Sequence, residues 1–146
     1  MEGVQRVRFF DAIKKALNNF KDYNGRSRRS EFWFWVLAVL LIGFLVGIIS
    51  VLLSIIHKVI GLIVIILFSL LVFIISLPLG IRRLHDMGKV GWFIFLGLIP
   101  IVGQIVLIYF YCQDSQKEKN QWGESPKYSN TSGERDGLLN SEENKI

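Results

Sequence analysis

The chain has 146 residues, a formal net charge of +5 and a hydrophobic fraction of 51%. Its mean hydropathy of +0.42 is too high for an ordinary soluble domain of this length, so the composition predicts a membrane protein. The single cysteine, Cys112, excludes an internal disulfide, and we assign it no role.

Residues 9–21 predict a helix with two faces. Apolar side chains recur at spacings of three and four, with lysines and other polar side chains between them. Such a helix lies on the membrane surface, where a lysine near anionic lipid contributes about 1 kcal/mol, or it packs on the loops of the bundle. With the basic loop that follows, it makes up a predicted cytoplasmic segment, residues 1–31.

Three arginines, Arg26, Arg28 and Arg29, precede the first long apolar run, and Glu31 stands at its entrance. Arginines at this position are typical of contacts with lipid phosphates and of a cytoplasmic loop. A carboxylate so close to hydrocarbon needs a cationic partner. We expect that partner among the arginines of a charged segment further along the chain.

Three long stretches carry no charged side chain. They cover residues 32–56, 59–81 and 91–112, and at about 1.5 Å per helical residue each can cross a hydrocarbon core of about 30 Å. A signal peptide fits poorly, because the first run is too long and lacks a small-residue cleavage site. We predict an all-α integral membrane helical bundle, with three transmembrane helices in a domain at 32–112 preceded by an amphipathic interfacial helix.

Two features inside these runs leave alternatives open. Gly43, Gly47, Ser50 and Ser54 form a small-residue stripe, which favours helix packing within the chain or between subunits over a polar pathway. The third run contains Pro100 in its middle, flanked by glycines. We expect a kinked crossing helix there, and the alternative is a re-entrant hairpin of two half-length segments.

Residues 81–92 form a charged island between the second and third runs. Arg82, Arg83 and His85 can donate hydrogen bonds, and Asp86 can accept from an arginine or orient the His85 ring. One histidine beside one aspartate supplies at most two ligands, so we predict no metal and no cofactor.

From residue 113 to 146 the chain is a polar tail. Its last part, 129–146, has the composition of a disordered segment. Asn120 to Pro126 is the exception, because Trp122 beside a glycine turn in a polar tail indicates that the ring packs against something.

Three segments together resemble the bacterial domain-of-unknown-function 805 family of small inner-membrane proteins. They are residues 25–33, residues 82–92 and residues 120–123, which agree with the family in order and spacing across roughly 9–126. Lys89, Val90 and the Gln121-Trp122 pair depart mildly from its usual residues. The resemblance implies a multi-span bacterial membrane protein and no particular reaction.

We predict a non-enzymatic integral membrane protein of the bacterial inner membrane, whose basic cytoplasmic face engages anionic lipid headgroups or a partner protein. The residues predicted to form lipid or partner contacts and a structural polar cluster are Arg26, Arg28, Arg29, Glu31, Arg82, Arg83, His85, Asp86, Asn120 and Trp122. The alternative is a small transporter or channel subunit that oligomerises through the small-residue stripe. An enzyme acting on a lipid headgroup, with His85 as base and Asp86 as orienter, ranks third.

Charge also predicts orientation. Nine lysines and arginines lie near span ends on the side of the N-terminus and the charged island, against four on the other side. This places the N-terminus in the cytoplasm. Three full crossings would put the tail outside, where Asn120 and Trp122 cannot contact the arginines.

Overall fold

The computed structural model describes residues 8–128, which form four α-helices and one 3-10 helix. The helices are α1 (Phe9–Asn18), α2 (Arg29–Ile56), α3 (Lys58–Asp86), the 3-10 helix (Gly91–Leu98) and α4 (Val102–Cys112). The predicted all-α class is confirmed, with two long apolar helices and a shorter one. The segment predicted to be disordered, 129–146, lies outside the described residues.

Helices α2 and α3 form an antiparallel pair, since His57 alone separates them. Their 28 and 29 residues give lengths of about 42 and 43 Å at about 1.5 Å per residue, more than a hydrocarbon core of about 30 Å. Most side chains along their middle are exposed Leu, Ile, Val and Phe, a surface suited to lipid rather than to water. Both helices are long and apolar enough to cross a membrane.

The small-residue stripe of α2 packs against α3 of the same chain. Gly61 approaches so closely that a Cβ there would lie 2.4 Å from the Ser50 carbonyl oxygen and 2.9 Å from the Ser54 Cβ. At Gly43 a Cβ would lie 3.4 Å from an α3 ring, whereas at Gly47 it would meet nothing within 4 Å. The stripe therefore serves packing within the chain at three of its four positions.

Helix α1 packs on α2 and α3 through small residues. Ala12 and Ala16 are buried, and Ala16 shares a buried cluster with Trp35, Ile75 and Leu79. Alanine permits this close contact because it has no side chain beyond Cβ. The helix thus contacts the bundle directly, and its placement at a membrane surface stays a prediction.

The third apolar run, residues 91–112, is not one helix. Its first part is a 3-10 helix of 8 residues and its second part is α4, with 11 residues. At about 2.0 and 1.5 Å per residue both measure about 16 Å, so the two limbs match in length. They pack side by side, with the Phe93 and Phe110 rings edge to face at 5.9 Å. The predicted single kinked helix is wrong, and the hairpin alternative describes this segment.

The reversal has a local cause. Pro100 lacks an N–H, Ile101 has a φ of 66°, and the Val102 N–H donates to the Pro100 carbonyl at 2.8 Å, which together make a γ-turn of the positive-φ type. One residue later, a Cβ at Gly103 would lie 1.8 Å from the Leu96 carbonyl oxygen. Only glycine lets the two limbs meet at this distance.

Candidate functional site

Asp86, the last residue of α3, is the centre of a buried polar cluster. Its Oδ1 accepts a hydrogen bond from Arg26 Nε at 3.0 Å. Its Oδ2 accepts one from Arg83 Nη1 at 2.6 Å and another from the Ser115 hydroxyl. All four side chains are at least 93% buried. We call Arg26, Arg83, Asp86 and Ser115 the Asp86 cluster; its two cations and one carboxylate satisfy the requirement that buried charges be paired.

Arg26 uses all five of its N–H groups. Besides Asp86 Oδ1, it donates to four backbone carbonyls at 2.7–3.2 Å, which belong to Asp86, Gln116, Glu118 and Gly123. The fork of a guanidinium suits such a set of acceptors, because its five donors point in fixed directions. One side chain therefore ties the loop before α2 to the end of α3 and to the tail.

Arg83 ties the end of α4 to the end of α3. Its Nε and Nη2 donate to the Tyr111 carbonyl at 3.3 and 3.2 Å, and Nη2 also donates to the carbonyl of Gln113. The last carbonyls of a helix have no intrahelical partner and carry its negative dipole end, so a cation stabilises them. The hairpin thus begins and ends beside the charged island.

The tail returns to the island. Asn120 Nδ2 donates to the His85 carbonyl at 2.9 Å, and the Trp122 ring stacks on the His85 ring at 4.2 Å and an angle of 8°. Asn120 and Gly123 close the intervening turn by exchanging backbone hydrogen bonds. The expectation that Trp122 packs against something is confirmed, whereas the expectation that the tail cannot contact the arginines is wrong.

His85 and Asp86 do not form a base and its orienter here. The Asp86 carboxylate is engaged by two arginines and a serine, while the His85 ring lies against Trp122. Adjacent residues on a helix point in different directions, which explains why the sequence neighbours have separate partners.

Residues 20–124 match the family described as a protein of unknown function, DUF805. The chain is 32% identical over 117 residues to the inner membrane protein YhaH of Escherichia coli strain K12, which covers 80% of this chain and 97% of YhaH. It is 31% identical over 113 residues to the inner membrane protein YhaI of the same strain, covering 77% of this chain and 92% of YhaI. No solved structure matches.

The chain belongs to the DUF805 family. The membership predicted from the three motifs is confirmed, and so is the prediction of a transmembrane protein, because its relatives are inner membrane proteins and its helices are suitably long and apolar. The DUF805 match contains the complete Asp86 cluster and the turn at Asn120, but it begins after α1.

Glu31 of this DUF805 member has a different partner from the expected one. Its carboxylate is 5% exposed and pairs with Lys15 Nζ of α1 at 2.7 Å, outside the family match. Arg82 lies 4.0 Å from Asp22 and also has an attractive electrostatic interaction with Glu31. The α1 helix therefore supplies the direct ion pair of Glu31, and Arg82 of the charged island adds a longer-range attraction.

A polar cleft lies where α2 begins, beside the chain that follows α4. It has a volume of about 220 Å³ and is lined by Arg28, Arg29, Ser30, Asp114, Ser115 and Lys127. Partial burial raises the pKa of Asp114, but hydrogen bonds from Lys127, the Ser115 N–H and Tyr128 outweigh it and hold that pKa below its usual value. Sequence reasoning missed this cleft, because residues 28–30 and 114–127 are far apart in the chain.

The sequence also did not predict which backbone carbonyls accept hydrogen bonds from Arg26 and Arg83. The carbonyls of Tyr111, Gln113, Gln116 and Glu118 are backbone groups, which have no residue-type signature. Two sequence features indicated that the tail could contact the island: the composition becomes polar directly after residue 112, and two arginines of the island need hydrogen-bond acceptors.

Proposed function

We propose that this DUF805 protein crosses the inner membrane twice, with α2 and α3, and that its third apolar run enters and leaves the bilayer from the cytoplasmic side. In this proposal the protein is not an enzyme, and a basic face on its cytoplasmic end engages anionic lipid headgroups. The limb length of about 16 Å supports the hairpin, because it is about half of a core of about 30 Å.

The charge distribution supports the orientation. With the tail beside the island, the cations at this end of the α2–α3 pair include Lys14, Lys15, Lys21, Arg26, Arg28, Arg29, Arg82, Arg83, Lys89, Lys117, Lys119 and Lys127. Lys58 stands at the opposite end, beside His57. Because cytoplasmic segments near membrane helices carry the excess of Lys and Arg, this end belongs in the cytoplasm.

One observation carries the lipid-binding proposal, namely that some cations at this end are buried and others are exposed. Arg26, Arg82 and Arg83 are at most 7% exposed and lie inside the protein. Lys14, Lys21 and Arg29 are exposed. Acceptors of the protein enclose Arg26 and Arg83, whereas the exposed Lys14, Lys21 and Arg29 direct their charge outward.

The surroundings of the exposed cations favour lipid over a partner protein. Phe10, Tyr23 and Trp33 are exposed at the same end, next to the apolar surface of α2. Aromatic rings of this kind sit at the headgroup level, where lysine and arginine contact lipid phosphates. A soluble acidic partner needs no such band of rings.

Lipid selectivity tests this proposal. We expect the purified protein, equilibrated with equal amounts of phosphatidylglycerol and phosphatidylcholine, to retain phosphatidylglycerol preferentially and less so at high salt. Lys14→Gln with Lys21→Gln should lower that preference, by up to roughly five-fold per lysine at low salt, since each contributes about 1 kcal/mol. Mass spectrometry of the retained lipid gives the ratio.

Lys58→Gln is the control for each single lysine substitution, because it removes one positive charge at the opposite end of the helix pair. It should leave the ratio unchanged. A wild-type protein that retains the two lipids equally contradicts the lipid-binding proposal, and so does an equal loss of preference in the control.

A further inference from the structure

We propose that the cleft between the start of α2 and the segment after α4 is a discrete site for the phosphate group of one anionic lipid. This inference rests on the proposed function and deepens it. The proposed function is a general attraction between the basic face and anionic lipids, and the inference adds one defined binding site for a lipid phosphate. The cleft is lined by Arg28, Arg29, Ser30, Asp114, Ser115 and Lys127.

The first argument is charge. Three of the lining side chains are cations and one is a carboxylate. Lys127 and Tyr128 both donate hydrogen bonds to Asp114, so the carboxylate is engaged by groups of the protein. The lining keeps an excess positive charge, which arginines can direct to phosphate oxygens in pairs of parallel hydrogen bonds.

The second argument is a contrast with the Asp86 cluster. There, every N–H of Arg26 has an acceptor within the protein and the guanidinium is buried. Arg29 is exposed and makes one described hydrogen bond, from Nη1 to the Cys112 carbonyl at 3.1 Å. A guanidinium has five N–H groups, so Arg29 retains donors for a ligand.

The third argument is position and size. The cleft opens where α2 begins, directly before Phe32 and Trp33, and exposed apolar side chains such as Leu37 and Leu40 continue along the same helix. A lipid whose phosphate occupies the cleft can lay its chains along that surface. The volume of about 220 Å³ is roughly seven times the share of one water in the liquid, about 30 Å³, which accommodates a phosphate group.

Titration of phosphatidylglycerol into the full-length protein in mild detergent, followed by native mass spectrometry, tests the site. We expect one lipid per chain to bind before any others. Arg28→Gln with Arg29→Gln should weaken that first binding at least ten-fold. Lys14→Gln with Lys21→Gln should leave it within about two-fold, because those lysines do not line the cleft.

Asp114→Asn gives a second test, in which the direction of the change in lipid affinity is informative. It removes the one carboxylate of the lining and releases Lys127, so the first lipid should bind several-fold more tightly. If Arg28 and Arg29 only supported the fold, this substitution would not increase the affinity for the lipid. Unchanged or weaker first binding in Asp114→Asn, or full binding without both arginines, overturns the proposal.

Two further measurements show whether the bound phosphate belongs to a lipid headgroup or to free inorganic phosphate. Inorganic phosphate at millimolar concentration should fail to displace the first lipid; displacement would show that the site takes free phosphate and would overturn the lipid assignment. A graded phosphatidylglycerol preference without a first discrete lipid overturns this site but leaves the proposed function standing. If the protein retains phosphatidylcholine as well as it retains phosphatidylglycerol, both this site and the proposed function are overturned.

Discussion

Replacing Asp86 by alanine should lower the free energy of unfolding by about 3–5 kcal/mol. The substitution leaves two arginines buried without the carboxylate that pairs with them, and removing one partner of a buried ion pair has this cost. Arg26 and Arg83 lose hydrogen bonds of 3.0 and 2.6 Å, and the Ser115 hydroxyl loses its acceptor. Thermal or denaturant unfolding in detergent measures the change.

Asp11→Ala is the matched control. Asp11 pairs with Arg8 at 3.1 Å, but the two side chains are 59% and 81% exposed, and an exposed pair contributes at most about 1 kcal/mol. In Asp86→Ala we also expect faster hydrogen exchange at the Gln116 amide, which donates to the Asp86 carbonyl. Equal destabilisation by the two substitutions, with unchanged exchange, would contradict the assigned role of the cluster.

Gly103→Ala should destabilise the protein by about 3 kcal/mol, the upper end of what forced overpacking costs. Its Cβ would lie 1.8 Å from the carbonyl oxygen of Leu96 and 2.8 Å from the carbonyl carbon, and backbone atoms cannot rotate away. The two limbs of the hairpin would have to separate. The melting temperature in detergent reports the loss.

Gly97→Ala provides the comparison within the same hairpin. There the nearest atom is the end of the Leu107 side chain at 3.3 Å, which can move by a small rotation. We expect a change within about 1 kcal/mol. If Gly103→Ala proved as mild as Gly97→Ala, the close contact between the limbs would be refuted.

The two long helices could be predicted from the sequence because an uncharged run of sufficient length has few other structures open to it. Their packing followed in part from the small-residue stripe, and Gly61 on α3 is the residue that completes it. The charged island is different. Residues 82–86 continue α3 instead of forming a loop, so their side chains lie on a rigid helix end.

The third run misled the prediction for a physical reason. Its 22 residues suffice for a crossing only if they run in one direction, and composition does not reveal that the chain reverses between the 3-10 helix and α4. The positive φ of Ile101 is equally unexpected, because a β-branched side chain disfavours it. Pro100 and Gly103 marked the place of the reversal but not its outcome.

This error affected the predicted site as well. Asn120 and Trp122 were identified as members of a polar cluster, yet a third crossing would have separated them from Arg26 and His85. The hairpin brings them together. It also changes the charge comparison, because the lysines of the tail join the end that carries the arginines.

The side of the membrane on which the tail lies tests the central claim most directly. Single cysteines introduced by Lys21→Cys, Lys58→Cys and Lys119→Cys, each with Cys112→Ala, can be labelled by a membrane-impermeant maleimide in intact spheroplasts and in inverted vesicles. We predict labelling at positions 21 and 119 in inverted vesicles and at position 58 in spheroplasts. Labelling of position 119 from the same side as position 58 would show that the third run crosses the membrane and would contradict the account.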